Sequence, residues 1–250
     1  MDRNSTPSVD QTNRYGGQVR QYLDEIDERS SSSIASAASL MFESILDNGI
    51  IHVAGAGHSL AMVCESFYRA GGLAAVRPIW HPEIFPLGGA IQSTQAERRD
   101  GLGRSTVRTV NPTPPDVAVV FSTSGRNPYP VEIAMECQAL GVPVIAVTSS
   151  TASQGASVRS ATNLAEHATI VVDTCTPPGD VIYPSVDPRT GSVSTILAAY
   201  AWNLLISKLD DLATMRGVEL PRWTSANVEG GDQQNSALID RYLGRIPELA

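Results

Sequence analysis

Lysine is almost absent from the sequence: Lys208 is the only one among 250 residues, and the formal net charge is −8. Proteins that bind the nucleic-acid backbone depend on clustered Lys and Arg side chains, so we expect no nucleic-acid partner. No apolar run approaches the roughly 20 residues of a membrane span, and we expect no membrane contact. The first residues, MDRNSTPSVDQTNR, lack the apolar core of a signal peptide, which predicts a cytoplasmic protein.

Cysteine is also scarce, with Cys64, Cys137 and Cys175 far apart in the chain. An odd number at such spacings argues against a disulfide framework. No CxxC or HxxxH pair is present, which argues against a zinc site. We expect reduced thiols, no bound metal and no cofactor.

The hydrophobic content of 42% is enough for the buried core of an α/β protein. Residues 1–13 are polar and are expected to form a disordered tail. Residues 14–250 are predicted to form a single domain. Apolar residues at three- and four-residue spacings predict a helical segment over 14–48, in which the run RSSSS at 29–33 is a candidate break. A final helix is predicted near 237–243.

Between these ends, apolar strand patterns alternate with helical ones. Helices of about ten residues between strands predict a doubly wound α/β sheet of about five parallel strands, with helices on both faces. Residues 80–112 read as irregular, with a short helix at 94–99. The strands are predicted at 50–54, 74–79, 116–121, 143–147 and 169–172, and the main helices at 60–70, 129–140 and 192–215.

Two turns share a chemistry suited to anions. GAGHS at 55–59 and STSGRN at 122–127 each connect a buried strand to a helix. A helix start offers unpaired N–H groups and a partial positive charge, glycine permits close approach, and hydroxyls add donors. Ordinary helix capping explains either turn alone, but two such turns in one sheet favour a phosphate ligand.

Other phosphate-binding loops fit less well. A dinucleotide loop needs a third glycine and an acidic residue after the second strand, and both are missing. A Walker loop needs GK[ST], which does not occur in the sequence.

In order and context, GAGHS and STSGRN resemble the two turns of the sugar isomerase (SIS) domain. The stretch GAGHSLAMVCESFYRAGGLAAVRPI, with TPPGD, SANVEGGDQQN and LIDRYLGRIPEL, is similar to the UPF0309 subgroup of single-domain SIS proteins from bacteria. The resemblance covers residues 15 to 250. It implies an SIS-type sheet, a sugar phosphate ligand and a homo-oligomer, either a dimer or a tetramer.

The resemblance also implies roles for particular residues. Catalysis would fall to His58 and to Glu65, since phosphoheptose isomerases carry a candidate glutamate on the same helix. Those enzymes use a histidine of the last long helix, which is missing here, so the substitute candidates include Glu97, Asp180 and Asn227. His81, on the loop after the second strand, could also reach the site. The phosphate would be bound by Ser59, Ser122, Ser124 and Asn127, with Gly57 and Gly125 allowing close approach and Thr123 contributing its backbone N–H.

Three functions remain open at this point. The first is an aldose–ketose isomerase acting on a phosphosugar, which needs a base beside the carbonyl and an acid to open the ring. The second is a non-catalytic sensor of sugar phosphates. The third is an etherase-type lyase on a phosphorylated amino sugar, which needs two placed carboxylates.

Overall fold

Five parallel strands form the central sheet in the computed structural model, which describes residues 14–250. The tail predicted over residues 1–13 lies outside the described residues. The strands are β1 (Ile51–Gly55), β2 (Val76–Ile79), β3 (Val117–Phe121), β4 (Val144–Thr148) and β5 (Ile170–Asp173). They are arranged in the order β2-β1-β3-β4-β5.

The order of the strands reverses at β1. Ile51 pairs in parallel register with Val76 on one side and with Val117 on the other. The connection that follows β1 and the one that follows β3 therefore leave in opposite directions. They open a crevice beyond the carboxyl ends of β1 and β3, where ligands bind in open α/β sheets. Every residue of β1, β3 and β4 is buried, which explains why their sequences are almost entirely apolar.

Helices cover both faces of the sheet, so the predicted doubly wound α/β architecture is confirmed. One face packs against the first, second and seventh helices, and the other against the fourth and fifth. The helices are α1 (Tyr15–Leu46), α2 (Leu60–Ser66), α3 (Ala90–Ala96), α4 (Leu102–Val110), α5 (Pro128–Ala139), α6 (Ser150–Gly155), α7 (Ser194–Arg216) and α8 (Gly231–Tyr242).

Helix α1 runs unbroken through the serine run at 29–33, where the sequence offered a candidate break. Serine weakens helices because its hydroxyl competes for backbone groups. Here the Ser33 hydroxyl donates to the Ser30 carbonyl of the same helix, at 3.0 Å. The Ser30 hydroxyl is buried and donates to the carbonyl of Asp173 at 2.7 Å. These contacts tie the helix to β5 instead of ending it.

Other elements also differ from the prediction. The predicted helix 60–70 ends at Ser66, and Tyr68 beyond it adopts a positive φ of 48°. The irregular stretch contains α4, and residues 181–192 contain an antiparallel hairpin of β6 (Val181–Tyr183) and β7 (Thr190–Ser192). Helix α8 begins at Gly231, six residues before the predicted start.

The C-terminal segment closes the sheet at the end opposite the crevice. Ile246 is fully buried in a cluster with Ile50, Ala74 and Ala75. Arg245 donates to the carboxylate of Asp116 at 2.9 Å. This C-terminal segment is therefore part of the fold.

Within residues 14–250, no helix is long and apolar enough to cross a membrane.

Candidate functional site

A cavity of about 420 Å³ lies beyond the carboxyl ends of β1 and β3. Its volume is within the usual range for small-molecule sites. The two turns that follow these strands both contribute to its wall, and no lysine or arginine is among the described residues that line it. The polar and turn residues of the lining are Ala56, Gly57, His58, Ser59, Thr94, Glu97, Ser122, Thr123, Ser124, Asn127, Asp180 and Ser194.

The first turn is a single 3-10 turn, Gly57–Ser59, that leads into α2. A Cβ atom on Gly55 would lie 2.4 Å from the carbonyl oxygen of Ser59, so only glycine allows the chain to reverse this tightly. Gly57 has a φ of 56°, a conformation that favours glycine. The Ser59 hydroxyl has no hydrogen-bond partner within residues 14–250, and it is available to a ligand.

The second turn is fixed by hydrogen bonds that leave its outward donors free. Ser122 Oγ accepts from the N–H of Gly125 at 3.2 Å, and the Thr123 carbonyl accepts from the N–H of Ser149 at 3.0 Å. In the described part of the chain, the N–H groups of Thr123 and Ser124 and the Ser124 hydroxyl donate to no acceptor. The turn thus presents a preformed set of donors to the cavity at the start of α5.

Gly125 differs from its expected role, because it is buried and does not line the cavity. Its φ is 61°, and a Cβ atom there would lie 3.1 Å from Leu164 Cβ and 3.3 Å from Thr148 Oγ1. The glycine therefore serves the packing of the turn against the protein and not the approach of a ligand.

Glu97 brings a carboxyl group into the cavity. It follows α3, and its backbone carbonyl accepts from the N–H of Tyr129 at 3.1 Å, which anchors it to the start of α5. Its Oε2 would lie 3.5 Å from a Cβ atom on Gly57, so it faces the first turn. Burial raises the pKa of Glu97 above its usual value, and the nearby guanidinium groups of Arg98 and Arg159 oppose this shift.

Glu65, the expected base, does not line the cavity. Helix α2 starts at the rim and runs away from it, and six residues beyond Ser59 the helix has advanced by about 9 Å. The Glu65 carboxylate instead forms an ion pair with Arg69, four residues further along the chain. Its position within this chain does not fit the role that the resemblance implied.

The other candidates are divided between the cavity and the surface. His58 lines the cavity and is exposed. Asp180 also lines it, but its carboxylate accepts from the N–H groups of Val193 and Ser194 at 3.0 and 2.6 Å, and so caps α7. His81 lies outside, with Nδ1 accepting from the N–H of Glu83 at 3.3 Å. Asn227 is exposed in the segment before α8 and is not part of the lining.

Two polar side chains of the lining were not predicted from the sequence. Thr94 lies on α3, within a stretch that reads as mostly irregular. Ser194 is the first residue of α7, and its hydroxyl donates to Asp180 at 2.8 Å. The signal that could have identified Ser194 is its place as a third serine at the start of a helix.

Residues 14–250 contain no cluster of His, Cys, Asp and Glu side chains suited to a metal ion.

Sequence comparison places the chain among known proteins. A model of the SIS domain matches residues 14–149, more than half of the chain. The chain therefore belongs to the SIS domain family. Its relatives there include the UPF0309 protein of Geobacillus kaustophilus, 32% identical over 95% of this chain and 96% of the relative. A UPF0309 protein of Listeria monocytogenes is 34% identical over 91% of this chain and 94% of its own.

Solved structures share the fold at low identity. The phosphoheptose isomerase of Neisseria gonorrhoeae superposes with a TM-score of 0.55, at 17% identity, over 79% of this chain and 95% of that one. That of Francisella tularensis gives 0.53, at 19% identity, over 82% and 100%. The NanR protein of Vibrio vulnificus, solved with ManNAc-6P, gives 0.50, at 13% identity, over 94% and 70%.

Proposed function

We propose that this protein binds a sugar phosphate in the cavity and interconverts its aldose and ketose forms. One observation carries the proposal: two serine-bearing helix starts converge at the strand-order reversal, beside a half-buried carboxyl group. The serine hydroxyls and free N–H groups suit a phosphoryl group. Solved proteins of this fold include phosphoheptose isomerases and a protein in complex with ManNAc-6P, which supports this ligand class.

Glu97 is our candidate for the base that moves the proton between the two carbons. The carboxylate is the working form of a base, and a raised pKa makes it a stronger base. His58, at the first turn, is the candidate acid for ring opening and for polarising the carbonyl oxygen. Ser59, Ser122, Ser124 and Asn127 bind the phosphate in this account.

An elimination reaction is less favoured by the geometry. It needs a second carboxylate with free lone pairs, and Asp180 is the other carboxylate that lines the cavity. Its Oδ1 accepts two backbone N–H groups and its Oδ2 accepts the Ser194 hydroxyl. These bonds engage both carboxylate oxygens with the start of α7, so the carboxylate is held in a structural role there.

The test combines a binding screen with proton exchange. Sugar phosphates that raise the melting temperature are incubated with the protein in heavy water, and deuterium should appear on the carbon next to the carbonyl. Glu97→Gln should abolish exchange and keep the thermal shift. Glu65→Gln is the matched control and should exchange like the wild type.

Three results would contradict parts of this account. Exchange that survives in Glu97→Gln would remove Glu97 as the base. Binding with neither exchange nor elimination in the wild type would favour a sensor, and release of an ether substituent would favour a lyase.

We further expect a dimer or tetramer, which sedimentation would reveal, and a cytoplasmic location.

A further inference from the structure

The described residues that line the cavity include carboxylates but no lysine or arginine, although the proposed ligand is an anion. The carboxylates are those of Glu97 and Asp180. A phosphoryl group adds a further charge of about −1.5 to −2 at neutral pH. Helix starts and hydroxyls offset part of this, yet α2 has only seven residues. A cation beside the turns would add to the serine hydroxyls and free N–H groups in binding a dianion.

Arg159 is in a position to supply it. It lies on the segment between α6 and the 3-10 turn at Leu164–His167, and it is exposed. Its Nη1 donates to Asn127 Oδ1 at 3.0 Å, which brings the guanidinium to the second turn. Its positive charge also tends to lower the pKa of Glu97, whose carboxyl group faces the first turn. Arg159 thus lies beside the second turn of the proposed phosphate site, just outside the present lining of the cavity.

The surroundings of Arg159 are unfavourable for a cation without an anion. Asn127 is the residue from which α5, a helix of 12 residues, begins. The N-terminus of a helix carries a partial positive charge, which repels a guanidinium. No carboxylate of residues 14–250 lies within ion-pair distance of Arg159. A bound phosphate would satisfy both the helix start and the guanidinium.

The neighbouring arginines are less suited to this task. Arg126 belongs to the second turn itself, but its Nε donates to the carbonyl of Ser153 at 3.2 Å, which directs it toward α6. The charge of Arg98 tends to lower the pKa of Glu97, the residue before it. In the described part of the chain, Arg98 makes no hydrogen bond to the second turn. Arg159 alone combines a contact to the turn with proximity to Glu97.

We propose that Arg159 binds the phosphoryl group of the ligand, exchanging its hydrogen bond with Asn127 for bonds to phosphate oxygens. This inference rests on the proposed function, since it assigns a further residue to the same site. The exchange also releases Asn127 Oδ1, so the side chain can turn its N–H₂ donors toward the phosphate. A planar guanidinium donates two parallel hydrogen bonds to a phosphate, which a lysine does not.

Inorganic phosphate is the probe that isolates this subsite, and its binding is measured by ³¹P NMR titration. Wild-type protein should bind it, and Arg159→Gln should bind at least about tenfold more weakly. Arg159→Lys should recover part of the affinity, because it keeps the charge. Arg98→Gln, the control for general electrostatics, should change the affinity by no more than about threefold.

The outcomes distinguish the proposed role of Arg159 from the proposed phosphate site itself. Equal affinity in wild type and Arg159→Gln would overturn the role of Arg159 and leave the phosphate site intact. No phosphate binding by the wild type would contradict the site itself. Because Arg159 is exposed, its variants should melt at the wild-type temperature without ligand, and a fall in that temperature would indicate a structural role instead.

Discussion

At the scale of single residues, the cavity holds one carboxyl group in a setting that suits proton transfer. Glu97 faces Gly57 of the first turn, and its backbone is tied to Tyr129 at the start of α5. Its partial burial disfavours the charged form. The folded protein therefore holds this proton more tightly than the unfolded chain does, and ionisation of Glu97 reduces stability as the pH rises.

We predict that the pKa of Glu97 in the folded protein lies above the ordinary value of 4.5. Carboxyl ¹³C NMR of protein labelled at glutamate would measure it, with the Glu97→Gln spectrum providing the assignment. The same variant should be at least as stable as wild type at neutral pH, because it removes a half-buried charge. A titration midpoint at or below 4.5 would contradict the assigned environment.

The residues of the site were partly predictable from sequence. Both turns follow apolar strands and carry local signals, namely glycine where φ is positive and serine where a helix begins. The contribution of Glu97 depends on a hydrogen bond to Tyr129, 32 residues away in the chain, and no local pattern indicates such a contact. The resemblance to phosphoheptose isomerases implies a role for Glu65, although the axis of α2 carries this residue away from the cavity.

At the scale of elements, the second turn depends on how it packs. Thr148 and Leu164 leave little space for a side chain at Gly125, where φ is 61°. Gly217, at the end of α7, has a similar φ of 63° but open space around it. The two glycines therefore separate the effect of backbone conformation from the effect of contact.

Gly217→Ala should lower the free energy of unfolding by about 1 to 2 kcal/mol, the usual penalty for a left-handed conformation. Gly125→Ala should lower it by about 2 to 4 kcal/mol, since overpacking adds to that penalty. Chemical denaturation measures both. Affinity for phosphate should fall only in Gly125→Ala, and equal effects of the two substitutions on stability and binding would argue against a tightly packed turn.

The elements that sequence predicted well are those whose signals are local. Strands β1, β3 and β4 are almost entirely apolar, and their bounds match within a residue. Helix α4 was missed because its sequence, LGRSTVRTV, is polar and its start is capped from elsewhere. The Glu132 carboxylate of α5 accepts from the N–H groups of Gly101 and Gly103 at 2.6 and 3.0 Å.

At the scale of the whole molecule, one buried carboxylate joins three parts of the chain. Asp116 precedes β3, accepts from His52 of β1 at 3.0 Å and from the Ile50 N–H at 2.8 Å, and pairs with Arg245 near the chain end. Burial opposes its ionisation. The hydrogen bonds from His52, Ile50 and Thr113 outweigh that effect and hold the pKa of Asp116 below its ordinary value of 3.8.

Asp116→Asn should lower the free energy of unfolding at neutral pH by about 1 to 3 kcal/mol, because buried donors lose their acceptor. The stabilisation by the wild-type carboxylate should be present above pH 3.8 and disappear as the pH falls through its lowered pKa. Denaturation as a function of pH measures this. Asp187→Asn, which breaks an exposed pair with Arg189, is the control and should change stability by less than about 0.5 kcal/mol.

A destabilisation in Asp116→Asn no larger than that in Asp187→Asn would mean that the C-terminal segment is held without this network. The burial of Ile246 and the contact of Arg77 with Glu248 at 3.0 Å would then carry the attachment.

The most direct measurement for the whole account is a crystal structure of the protein with the sugar phosphate that stabilises it most in the thermal screen. The account predicts a phosphoryl group within hydrogen-bond distance of both Ser59 Oγ and Ser124 Oγ, with the sugar carbonyl end beside Glu97. A phosphoryl group bound elsewhere, or one that contacts neither serine, would contradict it.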